Sequence, residues 1–117
     1  MLEVAVQQAI RLEAARRGIV LWRNNTGVLL DARGVPLRFG LANDSAKVNA
    51  NFKSSDLIGI CVDGKFLAIE CKAPTWNYRG TARELAQLNF INLVISTGGR
   101  AGFARCIEDA IQIWSAP

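Results

Sequence analysis

Three side chains in the middle of this 117-residue chain have the types and spacing of a reaction centre: Asp56, Glu70 and Lys72. They lie in Ser54-Ser55-Asp56-Leu57-Ile58-Gly59-Ile60 and, after a turn, Leu67-Ala68-Ile69-Glu70-Cys71-Lys72. The second segment is an apolar strand that ends in Glu-x-Lys. Side chains two apart on a strand share a face, so Glu70 and Lys72 point to the same place. If Asp56 joins them, two carboxylates and an ammonium converge at a sheet edge. Two carboxylates suit a hard divalent ion such as Mg²⁺, which takes oxygen ligands. Such an ion can activate water and steady the charge on an attacked phosphate, while Lys72 orients the nucleophile or offsets anionic charge. The chain has no histidine, which excludes an imidazole base, Ser-His and Cys-His dyads, and His metal ligands. An Asp-Glu-Lys centre needs none of these.

Whether Asp56 faces Glu70 depends on one turn. A two-residue loop at Asp63-Gly64 pairs Val62 with Lys65 and sets Asp56 opposite Cys71, so the two carboxylates diverge, because a one-residue slip reverses every side chain. A three-residue loop, Val62-Asp63-Gly64 with Gly64 left-handed, pairs Cys61 with Lys65 and Asp56 with Glu70. A reaction centre requires the odd loop or a compensating bulge. The competing reading makes Asp56 a turn cap and Glu70-x-Lys72 a solvated strand end.

The positioning elements follow from pattern. Leu2 to Arg17 reads as a helix, with Gly18 as its C′ residue. Ile19-Val20-Leu21-Trp22 reads as a strand buried on both faces. Val28-Leu29-Leu30 and Val35-Pro36-Leu37-Arg38-Phe39 flank a turn at Asp31-Ala32-Arg33-Gly34, giving a hairpin in which Pro36 marks an edge. Gly40 to Ser55 is polar and irregular. The strands Asp56–Val62 and Lys65–Lys72 follow. Thr81 to about Ser96 is a helix opened by a Thr81/Glu84 capping box, with Leu85, Leu88, Ile91 and Ile95 as its buried row. Gly102 to Cys106 is a last strand, and Glu108 to Trp114 a closing helix. The expected product is an α/β domain spanning 1–117, with a mixed sheet covered on both faces.

Composition sets the outer bounds. Half the residues are apolar, and only 10 Gly and 3 Pro interrupt them, which argues for one packed core and against disorder. No apolar run approaches the roughly 18 residues of a membrane span, and the opening residues lack the basic-then-apolar pattern of a signal segment. Three widely spaced cysteines suggest a reducing compartment such as the cytoplasm and not a disulfide scaffold. Fourteen Lys and Arg against 10 Asp and Glu leave +4, which permits a polyanionic partner without identifying one.

Asp56 with Glu70-Cys71-Lys72 resembles the PD-(D/E)XK nuclease motif, and its surroundings resemble the VRR-NUC (virus-type replication-repair nuclease) branch. The likeness runs through helical Glu3 with Gln7, Trp22-Arg23-Asn24-Asn25-Thr26-Gly27, the Ser-Asp-Leu-Ile-Gly strand, the Glu-x-Lys strand and helical Gln87. Gly98 to Phe103 has the look of phage-encoded members. The resemblance implies a restriction-endonuclease-like α-β-β-β-α-β core with a mixed sheet flanked by helices, plus a small inserted hairpin. It also implies a Mg²⁺- or Mn²⁺-dependent DNA endonuclease that hydrolyses phosphodiester bonds. Stand-alone members resemble Holliday-junction resolvases, so branched or four-way DNA, a homodimer, and a phage or bacterial cytoplasm are the corresponding expectations. In that reading Asp56, Glu70 and the Cys71 backbone carbonyl hold metal, Lys72 is catalytic, and Glu3 and Gln87 support the site. Ser55 departs from the family's usual Pro or Gly, and the Leu41–Lys53 loop is long. The rival is a non-catalytic DNA-binding or packaging-associated module on the same fold.

Arg23, Asn24, Lys47, Lys53, Arg79 and Arg83 flank the centre and are candidate DNA contacts, against the alternative of scattered solubilising charge. Trp76 and Tyr78 either stack on an unpaired base or pack a loop or a dimer contact. Trp22 and Trp114 are expected in the core. Cys61, Cys71 and Cys106 read as small buried strand residues.

Overall fold

A computed structural model describes residues 2–117. Helix α1 spans Glu3–Arg16 and ends at Gly18, whose φ of +74° is the left-handed conformation expected of a C′ residue. Strands β1 (Val20–Arg23), β4 (Leu57–Ile60), β5 (Phe66–Cys71) and β6 (Arg100–Ala104) form one sheet in the order β1-β4-β5-β6. The first two pairings are antiparallel and β5–β6 is parallel, so α3 (Ala82–Ser96) must cross over between them. Strands β2 (Gly27–Leu30) and β3 (Pro36–Phe39) make a separate two-stranded hairpin. Helices α2 (Ala46–Asn51) and α4 (Ile107–Trp114) complete the chain.

The mixed sheet is flanked by helices as expected. Val6, Ile10 and Ala14 of α1 and Ala110 and Trp114 of α4 pack on Leu57, Leu67, Ile69 and Cys71. On the other face, Phe90 and Val94 of α3 cover Ala68. This second cover reaches only part of the sheet and corrects the reading of the first strand. Ile19 and Leu21 are buried, but Val20 is 45% exposed and Trp22 54% exposed, so β1 is an edge strand buried on one face and Trp22 is not core. Trp114 is buried as expected.

The β4–β5 turn is the odd one. Leu57 pairs with Ile69 and Ile60 with Phe66, a register that continues to Cys61 opposite Lys65 and Asp56 opposite Glu70. The Cys61 N–H donates to the Lys65 carbonyl at 2.9 Å, and Gly64 sits at φ +86°.

Two expectations about helices change. The capping box at Thr81 and Glu84 is present, but α3 is rotated: Ala86, Phe90, Ile91 and Val94 are its buried apolar residues, whereas Leu85 and Ile95 are each about half exposed. The rotation turns Glu84 and Gln87 inward, where both find polar partners. The stretch read as irregular contains α2. Ser45 Oγ accepts the Val48 N–H at 3.1 Å, and two bonds to α3, Lys53 N–H to the Ala86 carbonyl and Asn89 Nδ2 to the Asn51 carbonyl, dock the helix. A six-residue helix has too little pattern to be read and depends on such docking.

Candidate active site

Asp56 immediately precedes β4, and its carboxylate reaches across to the next strand: Cys71 N–H donates to Asp56 Oδ2 at 2.9 Å. Its main-chain carbonyl accepts the Asn24 N–H at 2.8 Å, which ties the end of β1 to the start of β4. Glu70, opposite Asp56 in register, is only 4% exposed and lies within hydrogen-bonding reach of it. Burial raises the Glu70 carboxyl most, the hydrogen bond and charge of Asp56 raise it further, and Lys72 and Arg83 only partly offset them; the outcome is a pKa of about 9. Near neutral pH Glu70 therefore keeps its proton, within hydrogen-bonding reach of Asp56 on the neighbouring strand.

Lys72 is also buried, on the same face. Its Nζ donates to Gln87 Oε1 at 2.8 Å and lies 5.4 Å and 5.8 Å from the ring centroids of Trp76 and Phe103. Gln87 is 2% exposed, so this helical Gln faces the site. Trp76 is held by its neighbours: its indole N–H donates to Glu84 Oε2 at 2.7 Å and its ring lies 4.8 Å from that of Phe103. It thus packs within the domain, as a wall for Lys72. Burial pushes the Glu84 carboxyl up, but donors from Thr81, Arg79 and Trp76 prevail and hold it at about 2. Tyr78 packs edge-on against Trp76 and remains 44% exposed.

A cavity of about 260 Å³ opens on this centre. Asp56, Glu70 and Gln87 line it, with Arg83 from α3, Lys53 and Asn24 from the flanking loops, and Arg38 from β3. Of the candidate DNA contacts, the fold thus gathers Asn24, Lys53 and Arg83. Asn24 also serves as a latch, with Nδ2 donating to Ser54 Oγ at 2.7 Å and to the Ser55 carbonyl at 3.0 Å. Arg23, Lys47 and Arg79 do not line this cavity. Arg23 lies exposed on the edge strand, Lys47 borders a separate hollow with Phe52 and Asn89, and Arg79 gives its backbone N–H to Glu84. Glu3 is exposed at the start of α1 and outside the cavity lining, although its charge is close enough to help raise the Cys71 thiol. Burial is the larger cause of that rise, with Asp56 and Glu70 next.

Sequence reasoning missed Arg38, Asn43 and Asn49, which reach the cavity from the hairpin, the loop after it and α2. No local signal marks them, because the inserted hairpin folds over the sheet end only in three dimensions. A larger groove, about 740 Å³ between α1 and β1, holds no carboxylate and has no reactive group.

Among the described residues, no three His, Cys, Asp or Glu side chains gather into a metal cluster. The Asp56–Glu70 pair is a two-carboxylate, all-oxygen donor set, and the proton kept on Glu70 is what a hard cation displaces. The donor chemistry therefore fits Mg²⁺ or Mn²⁺, with backbone carbonyl and water needed to complete the shell. No protein-family model, curated protein or solved structure matches this chain.

Proposed function

We propose that this chain is a Mg²⁺- or Mn²⁺-dependent nuclease of the PD-(D/E)XK type, on a restriction-endonuclease-like α-β-β-β-α-β core with an inserted hairpin. The reading rests on one observation above the others: the odd β4–β5 turn sets Asp56 opposite Glu70, with Lys72 buried on the same face. Asp56 and Glu70, with the Cys71 carbonyl, would hold the cation. That ion supplies a polarised phosphate oxygen and a water of lowered pKa. The rest falls to the chain. Glu70 gives up its proton when the cation binds, so both carboxylates become available. Lys72, its Nζ fixed by Gln87, presents an ammonium that orients the attacking oxygen or balances charge growing on the phosphate. Trp76 and Phe103 limit water around that ammonium. Arg83 and Lys53 hold neighbouring phosphates.

The reading extends to branched DNA and a homodimer, since paired cuts on two-fold-related strands require two copies of a chain with one centre. Three free cysteines fit a reducing cytoplasm, and the phage or bacterial origin rests on the family resemblance alone.

The test incubates the protein with single-stranded, flapped, duplex and four-way DNA, and with RNA, in Mg²⁺, Mn²⁺ or EDTA. Asp56→Asn and Lys72→Met run alongside. Cleavage that needs metal and is lost in both variants supports the proposal. Cleavage in EDTA, or undiminished in the variants, refutes the centre. Binding without cleavage on every substrate favours a non-catalytic module. Sedimentation velocity tests the dimer.

A further inference from the structure

The nuclease reading leaves one charged cavity residue without a role. Arg38 lies on β3 of the inserted hairpin, yet its side chain lines the cavity that holds Asp56 and Glu70. Its side-chain hydrogen bonds are with one residue. Arg38 Nε donates to the Asn43 main-chain carbonyl at 3.1 Å and Nη2 donates to Asn43 Oδ1 at 3.0 Å. These two bonds occupy the side-on edge of the guanidinium. Of its five N–H donors, the two on Nη1 and the second on Nη2 remain, and they form the end-on fork that fits a phosphate with two parallel bonds.

The fork is held in place. Asn43 is 3% exposed, and its Nδ2 donates to the Gly27 and Phe39 carbonyls at 2.9 Å each, which are paired residues at the base of the hairpin. The chain reaches that position through Gly40 at φ +92° and Ala42 at φ +56°, the one non-glycine residue in the left-handed region among those described. A Cβ at Gly27 would lie 2.6 Å from the tip of the Phe39 ring and would have to displace it. The backbone thus fixes Asn43, and Asn43 fixes Arg38.

The charge around the cavity also lacks a counterpart. Among the described residues, Arg38, Lys53 and Arg83 form no ion pair with a carboxylate. These three cations outnumber the two carboxylates, so the cavity is net positive even with both acids ionised. A cation with its charge unpaired and its orientation locked is arranged for an anion that arrives from outside.

We infer that Arg38, positioned by Asn43, is a bidentate ligand for a substrate phosphate next to the one attacked, which makes the inserted hairpin part of the substrate-binding surface. The inference rests on the nuclease reading and adds to it the residue through which the hairpin acts.

The experiment measures binding of a short fluorescein-labelled single strand and a duplex of matching sequence in EDTA, across a salt series, and then steady-state cleavage in Mg²⁺. Arg38→Gln keeps an amide to meet Asn43 but removes the charge. It should weaken binding about tenfold and lower the salt slope by about 0.7 for the single strand or 0.9 for the duplex. KM should rise, with kcat little changed. Arg38→Lys should restore the slope while recovering only part of the affinity, since a lysine has charge and no fork. Asn43→Ala should lose affinity with the slope retained, because the charge remains and its aim is lost.

Wild-type affinity, slope and KM in Arg38→Gln would overturn the assignment while leaving the nuclease reading intact. A wild-type protein that neither binds nor cleaves nucleic acid would overturn both. Thermal unfolding of each variant separates lost binding from lost folding, and Arg38→Lys provides the comparison if the neutral variant unfolds: full affinity in it would count against the fork.

Discussion

The proton that buried Glu70 keeps beside Asp56 makes a strong prediction about the cation-free protein. Glu70 ionises near 4.5 in an unfolded chain and at about 9 in the folded one. Between those values the folded state keeps a proton that the unfolded state has released, so stability falls as pH rises. The contribution is whole below about pH 4.5 and is lost progressively as pH climbs through 9. One pH unit corresponds to about 1.4 kcal/mol, so the loss reaches about 3 kcal/mol at pH 7 and about 4 kcal/mol between pH 5 and 8. Against a total of about 5–15 kcal/mol for an ordinary domain, even half of it is easily measured.

Glu70→Gln replaces that proton with a permanent amide hydrogen of nearly the same size. Urea unfolding in EDTA at pH 5, 6, 7 and 8 (a window chosen to sit between the two values) should show wild type weakening steadily and Glu70→Gln staying nearly level. The variant should be more stable than wild type at pH 8. Asp56→Asn should give an intermediate slope, since it removes one cause of the shift and leaves burial, the larger one. Mn²⁺ at pH 8 should restabilise wild type and leave Glu70→Gln unmoved. Acids held low by hydrogen bonds and ion pairs, Asp31, Asp63 and Glu84 among them, titrate below this window and act with the opposite sign. Parallel profiles for wild type and Glu70→Gln would refute the reasoning, because they would mean that Glu70 is ionised in the folded protein despite its burial and its neighbour.

Other variants probe the supports of the centre. Lys72→Met should leave Gln87 Oε1 without its donor, cost about 1–3 kcal/mol in urea unfolding and reduce cleavage by at least about 100-fold; a double-mutant cycle with Gln87→Leu should return most of the stability as coupling. Gly59→Ala places a methyl 1.8 Å from the Val20 carbonyl oxygen across the β1–β4 pairing and should cost about 3 kcal/mol or more, so a loss under 1 kcal/mol would mean that the edge strand is readily displaced. Leu57→Ala, at a fully buried position beside Asp56, should cost about 2–5 kcal/mol by cavity formation, measured the same way.

The centre was legible because its geometry depends on parity. A left-handed Gly64 allows a two-residue or a three-residue loop, so the residue types at Asp56, Glu70 and Lys72 are what favour the odd one, and the odd loop then aligns Asp56 with Glu70. The same local chemistry gave the Thr81/Glu84 cap and the Asp31–Gly34 turn, where Asp31 Oδ1 accepts the Arg33 and Val35 N–H groups at 2.8 and 2.9 Å. What failed depended on partners distant in sequence. Burial of β1 on both faces was a reasonable reading of four consecutive large apolar residues, but α3 covers only part of its face of the sheet. The buried row of α3 was misplaced because hydrophobic periodicity assumes that polar residues turn outward.

Here that assumption fails for a reason connected to the chemistry. Gln87 is drawn inward by the Lys72 ammonium, and Glu84 by the Trp76 indole and the backbone of residues 79–81. The turn of the helix that brings these two side chains inward carries Leu85 and Ile95 out to solvent. The misfit between the apolar pattern and the burial of α3 is therefore itself informative: a helix that exposes two leucine-sized side chains to bury a glutamine and a glutamate is held by polar partners that the sheet end supplies. The same logic applies to the hairpin, whose leucines stay exposed while Arg38 and Asn43 turn toward the cavity. Gln87, Arg38 and Asn43 thereby line the cavity that holds Asp56 and Glu70, while Glu84 anchors the Trp76 wall beside Lys72.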